Sequence, residues 1–288
     1  MDSAEILAAK KEFTDLDELH VIQSDRKSFF SDFKELWQYR ELMILLAWRD
    51  VKVRYKQTYL GIAWAILQPL MTMIIFSVIF GQLAKLPSEG VPYPIYTFAA
   101  LLPWQLFSFA FSASSNSLVG NERIISKVYF PRLILPLSSI LVGLVDFVFS
   151  FGILIILMLV YQVPFTLRLL LIPLLILFAI LAALSVGFWL SAINVRYRDV
   201  RYMVPFITQV WMYASPIAYS STLIPSQWKW LYGLNPMVGV IEGFRWALLG
   251  LNGGDLITFG ISILIVLMLL LGGVQYFKTM EDKFADVL

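Results

Sequence analysis

The chain has no cysteine and a single histidine in 288 residues. Disulfides, thiolate nucleophiles and cysteine-ligated metals are therefore closed to it, and the one imidazole, His20, stands in a charged tail where a solvated role is expected. Charge of either sign is scarce: Asp, Glu, Lys and Arg make up 15% of residues, against 59% hydrophobic and 15% aromatic, with a mean hydropathy of +0.76. That balance excludes a soluble domain of this length and describes an integral membrane protein. Nothing matches GxxxxGK[ST], so the chain binds no nucleotide through a phosphate loop of its own. Glu89, Glu242 and Asp255 are far apart in sequence, with no spacing that pairs a general acid with a general base. A hydrolase or glycosyltransferase site is poorly supported. No internal repeat is visible, which argues against a secondary transporter built from inverted repeats.

What is present is uncharged length. About 20 residues cross roughly 30 Å of hydrocarbon, and six stretches qualify as spans: 60–83, 95–119, 133–160, 169–193, 203–219 and 256–276. Thirteen Lys and Arg lie near one set of span ends, while only Lys85, Arg168, Lys229 and Arg245 lie near the other. The excess of bases marks the cytoplasmic side, and with an even number of spans both termini are expected there. The first 30 residues hold no apolar core of the kind a cleavable signal needs. Residues 1–31 read as a cytoplasmic tail and 32–288 as one membrane domain. Between the fifth and sixth spans, residues 220–250 are semi-apolar and aromatic but broken by Pro225, Gly233, Asn235, Pro236 and Gly243. Each piece is too short to cross, so two re-entrant or interfacial helices at the outer face are expected.

Ahead of the first span, residues 32–56 read as an amphipathic interface helix. Asp32 followed by Glu35 is a capping pattern, and Phe29, Phe33, Leu36, Trp37 and Met43 recur at helical spacing. Arg49, Lys52, Arg54 and Lys56 then place four bases within eight residues. Such a cluster suits either anchoring on anionic lipid or capture of a phosphate or pyrophosphate headgroup. Asp146 is the lone carboxylate inside a span, and with no intramembrane base nearby in sequence it reads as a helix-packing group, protonated or hydrogen-bonded. The polar stripe Ser108, Ser112, Ser114, Ser115, Asn116 and Ser117 reads as helix-to-helix glue. Trp104, Phe107 and Phe111 share one helical face, and Trp64, Trp211, Tyr213 and Tyr219 add further rings. These aromatics serve packing or, if they line a lumen, offer flat stacking surfaces to sugar rings.

Several segments together carry a resemblance: RDVKVRYKQTYLGIAWAILQPL (49–70), LLPWQLF (101–107), NERIISKVYFPRLILPL (121–137), NVRYRDV (194–200), ASPIAY (214–219) and LNPM (234–237). In order and spacing they resemble the transmembrane subunit of ABC-2 type polysaccharide exporters, which carry O-antigen, capsule and teichoic-acid polymers. The resemblance implies an all-α subunit of six spans in the bacterial inner membrane. It implies a homodimer working with two copies of a separate ABC ATPase, so that ATP and Mg are used by the partner and no cofactor is bound by this chain. The substrate it implies is an undecaprenyl-linked polysaccharide, in a membrane-lipid setting and without nucleic acid. Under the resemblance, Glu122, Arg123, Lys127, Phe130 and Arg132 belong to a coupling helix that meets the ATPase, Arg198 and Asp199 to a second contact, and residues 220–250 to external gate helices. Teichoic acid, or small lipophilic molecules carried by related exporters, are the alternative cargoes. A membrane glycosyltransferase is the more distant alternative.

Overall fold

The computed structural model describes residues 35–56, 61–251 and 255–287. The expected cap at Asp32, the tail before it and position 60 lie outside the described residues. Trp37 closes one compact unit and Gln38 opens the next; the second holds all that follows.

Every element among the described residues is helical, as the hydropathy runs require. Helix α1 (Arg40–Lys56) precedes α2 (Gly61–Phe76), which continues as a π-helical stretch to Leu83. Then come α3 (Tyr93–Gly120), the single turn α4 (Glu122–Ile125), α5 (Ile134–Val160) and α6 (Ile172–Arg196). The chain continues with α7 (Val200–Ala214), the short α8 (Lys229–Tyr232), α9 (Pro236–Leu249) and α10 (Leu256–Val287).

Five helical stretches are long and apolar enough to cross a membrane: Ala63–Leu83, Tyr93–Gly120, Ile134–Val160, Leu167–Arg196 and Leu256–Glu281. The protein is a multi-pass membrane protein. The segment expected as a further span, 203–219, differs. Its helix α7 has 15 residues, about 22 Å at 1.5 Å per residue, and gives way at Ser215 to an extended backbone. The expected span, 203–219, is 17 residues long, but SPIAY is not helical, so the helix is shorter than that stretch.

Helix α3 is the axis of the bundle, with 78% of its span window buried. It packs against α2, α5, α6, α7 and α9. Small residues allow the closest of these approaches. A Cβ on Gly187 of α6 would stand 2.0 Å from the Ser114 hydroxyl of α3. Ser117 and Ser191 hydroxyls meet at 3.3 Å, and the Asn194 amide donates to the Ser115 carbonyl at 3.0 Å. In hydrocarbon such contacts replace the hydrophobic drive that lipid removes. Because α3 and α6 run side by side and finish together, α4 and the turn at Tyr197–Arg198 share one end of the bundle, the end rich in bases.

At the opposite end, Asn235 organises the chain before α9. Its side chain accepts from Met237 N (3.0 Å) and from Trp211 Nε1 (2.8 Å), and donates to Ala214 O (3.2 Å) and Ser215 Oγ (3.0 Å). One residue thus caps α9 and ties it to the end of α7. Gly250, at φ 70°, closes α9 in the left-handed conformation. The first of the two external helices expected here is reduced to 3₁₀ turns at Ser221–Leu223 and Ser226–Trp228 and the four residues of α8, because Pro225 and Gly233 bracket too few residues for more than one turn. Helix α9 is longer and mostly buried.

Candidate functional site

Two cavities open inside the bundle. One, of about 250 Å³, is lined from α1, α2, α3 and α5, and includes Arg54, Trp64, Gln68, Gln105 and Asp146. The other, of about 390 Å³, lies between α2, α3 and α7 and includes Trp104, Gln105, Thr208 and Gln209. Gln68, Gln105, Ser108 and Ser112 line both, so the two are lobes of one polar groove within an apolar bundle. Its walls follow from helical periodicity: Gln105, Ser108 and Ser112 stand at i, i+3 and i+7 on α3, Gln68 and Thr72 at i and i+4 on α2.

The serine stripe of α3 therefore divides in two. Ser114, Ser115 and Ser117 return their hydroxyls to carbonyls one turn back, and Asn116 is joined by the Asn194 amide at 3.2 Å. That half is the glue expected from the sequence, whereas Ser108 and Ser112 face the groove. The glutamines escaped sequence reasoning altogether. Their signal was available: an amide inside an uncharged span is costly unless it is bonded or wetted.

The mouth of the first cavity holds an ion pair. Arg54 Nη2 donates to Asp146 Oδ2 at 2.7 Å, and the Tyr55 hydroxyl donates to Asp146 Oδ1. Burial, then the carboxylate beside it, raises the Tyr55 phenol well above its ordinary range, so it stays a donor. Asp146 lies twelve residues into α5, about 18 Å along its axis, and the base that meets it arrives from α1, 92 positions away in sequence. The carboxyl is a packing group, but an ionic one, satisfied by a charge-assisted bond.

The basic cluster is correspondingly dispersed. Arg49 donates from Nη2 to Asn121 Oδ1 and from Nε to Asp50 Oδ1, both at 2.8 Å. Lys52 rests its ammonium 5.4 Å from the Trp48 ring centroid, and Lys56 is exposed. Helix α1 also leaves Ile44, Leu45, Trp48 and Val53 exposed, an apolar surface suited to the headgroup zone.

The aromatic residues separate into two groups. Trp64 and Trp104 border the groove. Phe107 and Phe111 are fully buried, stacked 5.9 Å apart, with Trp211 edge-on to both at 4.9 and 5.9 Å. Neither phenyl ring has accessible surface in the single chain. Tyr213 is exposed, and the Tyr219 hydroxyl accepts from Tyr232 at 3.0 Å.

At the basic end, Glu122, Arg123, Lys127, Arg198 and Asp199 are exposed, joined by Val128 and Tyr129. Two further residues expected there turn inward. Phe130 is buried, and Arg132 bonds Glu281 of α10, its backbone N–H reaching Oε1 at 2.8 Å and its guanidinium reaching the backbone carbonyl. These two anchor the loop against the bundle.

At the opposite end, where the sequence places Arg245 near a span end, that arginine is buried. Arg245 of α9 donates to the carbonyls of Ile217 (2.9 Å), Tyr219 (3.4 Å) and Tyr96 (3.4 Å), with its guanidinium 3.6 Å from the Tyr96 ring centroid. Burial lowers its pKa, and the charge persists because an arginine begins far above neutrality. Glu242, one turn away and buried, has a carboxyl oxygen without a partner, and burial raises its pKa.

Comparison with known proteins agrees with this architecture. The ABC-2 type transporter family matches over residues 41–249. An O-antigen export system permease protein, RfbA of Myxococcus xanthus, is 30% identical over 215 residues, covering 74% of this chain and 82% of that protein. Its namesake in Klebsiella pneumoniae is 28% identical over 251 residues, 86% of this chain and 95% of that one. The polysialic acid transport protein KpsM of Escherichia coli is 24% identical over 243 residues, 81% and 91% respectively.

Proposed function

This chain belongs to the ABC-2 type transporter family, and on that premise we propose that it is the membrane-spanning subunit of an ATP-driven exporter of a lipid-linked polysaccharide. The observation that supports the reading most directly is the groove that sets amides and hydroxyls among apolar side chains within the bundle, with Trp64 and Trp104 among its lining residues. A channel for a small lipophilic molecule has no use for a row of amides and hydroxyls that must be kept wet or bonded. A glycan does. In this reading the chain works as a homodimer with two copies of a separate ABC ATPase, which handles ATP and Mg. The basic end faces the cytoplasm, and Lys52 and Lys56 meet the pyrophosphate of the carrier lipid.

The exposed surface of Glu122, Arg123, Lys127 and Tyr129, with Arg198 and Asp199 beside it, is the docking face for the ATPase. Its inner side is pinned by Arg132 to Glu281, so a push on α4 reaches α10 and, through the loop, α5. A two-state movement of whole helices requires rigid attachments of this kind. The test is ATP hydrolysis by the reconstituted complex. Lipid-linked glycan is expected to stimulate it and small lipophilic compounds to leave it unchanged; the reverse pattern would overturn the reading.

A further inference from the structure

The groove has an unusual hydrogen-bond balance. Among the described residues, serines in the spans return their hydroxyls to backbone carbonyls again and again, as Ser77, Ser138, Ser185 and Ser215 do. Ser108 and Ser112 show no such bond, and no side-chain hydrogen bond engages Gln68, Gln105 or Gln209. Three helices therefore present unspent donors and acceptors to one space. Each amide offers two N–H donors and a carbonyl with two lone pairs, and each serine adds one donor and two acceptor sites.

The charge balance is equally specific. Among the described residues lining the two lobes, only Arg54 and Asp146 are ionisable, and they pair at 2.7 Å. Among the described residues, no further cation lines the groove for an anionic ligand. A polyanion threading it would lose hydration at each charge with nothing in return, and an uncompensated charge is costly to take out of water. A sugar hydroxyl, being both donor and acceptor, exchanges water for amide with little net change. Near-neutral exchange at successive sites is what lets a chain advance rather than lodge.

We propose that the groove of Gln68, Gln105, Gln209, Ser108 and Ser112 is a hydrogen-bonding track that accepts an uncharged, hydroxyl-rich glycan and discriminates against a polyanionic one. The proposal rests on the exporter reading and names the substrate class for it.

The test uses the full chain in nanodiscs and saturation-transfer NMR, which reads the weak binding a sliding track requires. The probes are maltoheptaose, a neutral oligosaccharide, and a sialic-acid hexamer as the polyanion. Maltoheptaose is expected to show transfer to its ring protons and the sialic-acid hexamer none. Gln105→Met with Gln209→Met is expected to weaken maltoheptaose at least fivefold. Should that pair lower protein yield, Gln105→Lys gives a positive readout instead, by admitting the polyanion. Binding of the sialic-acid hexamer to the unaltered chain as tight as maltoheptaose would overturn the proposal, as would maltoheptaose binding indifferent to the glutamines. Either result leaves the exporter reading standing if lipid-linked glycan still stimulates the ATPase, so the two failures are distinguishable.

Discussion

Replacing Asp146 with Asn and Arg54 with Gln, singly and together, separates a structural tie from a free headgroup ligand. The paired atoms are 2.7 Å apart, with side chains 43% and 19% exposed. At an effective dielectric of about 20, unit charges with centres ~4 Å apart attract by about 4 kcal/mol. Water around the half-exposed guanidinium reduces this, and a charge-assisted bond in such a setting contributes about 1.5–3 kcal/mol. Arg54→Gln is expected to cost more than Asp146→Asn, because it strands a carboxylate in an apolar helix, whereas the stranded guanidinium still reaches water. The double variant is expected to recover about 1–2 kcal/mol relative to the sum of the singles, the coupling of a contacting pair. Unfolding by SDS titration in mixed micelles, at pH 7 for all four proteins, supplies the cycle. A coupling energy near zero would refute the argument: the pair would then be incidental, and Arg54 free in the membrane to serve another ligand.

Three further outcomes follow from particular contacts. Gly187→Ala is expected to destabilise by about 1–3 kcal/mol through overpacking, since the new Cβ falls 2.0 Å from Ser114 Oγ; adding Ser114→Ala is expected to restore part of that in the same titration, and no rescue would contradict the close approach. Glu242 gives a pH signature. Burial raises its pKa, so the folded state keeps a proton that the unfolded chain releases near pH 4.3, and the contribution is whole below that pH and is lost as pH rises through the folded pKa. Arg245 on α9, Glu89 before α3 and Lys229 of α8 face it; unfolding midpoints of the parent minus Glu242→Gln are expected to fall across that window, and a flat difference would contradict the burial. Lys127→Glu with Tyr129→Ala is expected to abolish co-purification of the ATPase while leaving thermal unfolding of the chain unchanged.

The helices were legible because hydropathy is local: a run of uncharged residues in lipid has no alternative to satisfying its own backbone. Helix α7 was harder, since its uncharged run extends past Ala214 while the helix stops, and that stop depends on Asn235 binding Ser215 and Ala214 from 20 or more positions away. Long-range contacts account for the other differences. Asp146 looked solitary because its base lies on another helix, and the burial of Arg245 was not legible because its acceptors are carbonyls, which no sequence pattern announces. The groove was half legible. Trp64 and Trp104 lie beside it, whereas Phe107 and Phe111, on the same helical periodicity, are buried within the chain. Spacing places residues on one face of a helix without saying which neighbour that face meets.

Export of a glycan is read out by transport into vesicles. The chain and its ATPase are reconstituted in proteoliposomes with fluorescent lipid-linked oligosaccharide on the ATPase side. The account predicts that the glycan becomes accessible to an enclosed glycosidase only with ATP, and that Glu122→Lys with Lys127→Glu removes this. Glycan that stays outside while a small lipophilic dye is carried inward under the same conditions would contradict it.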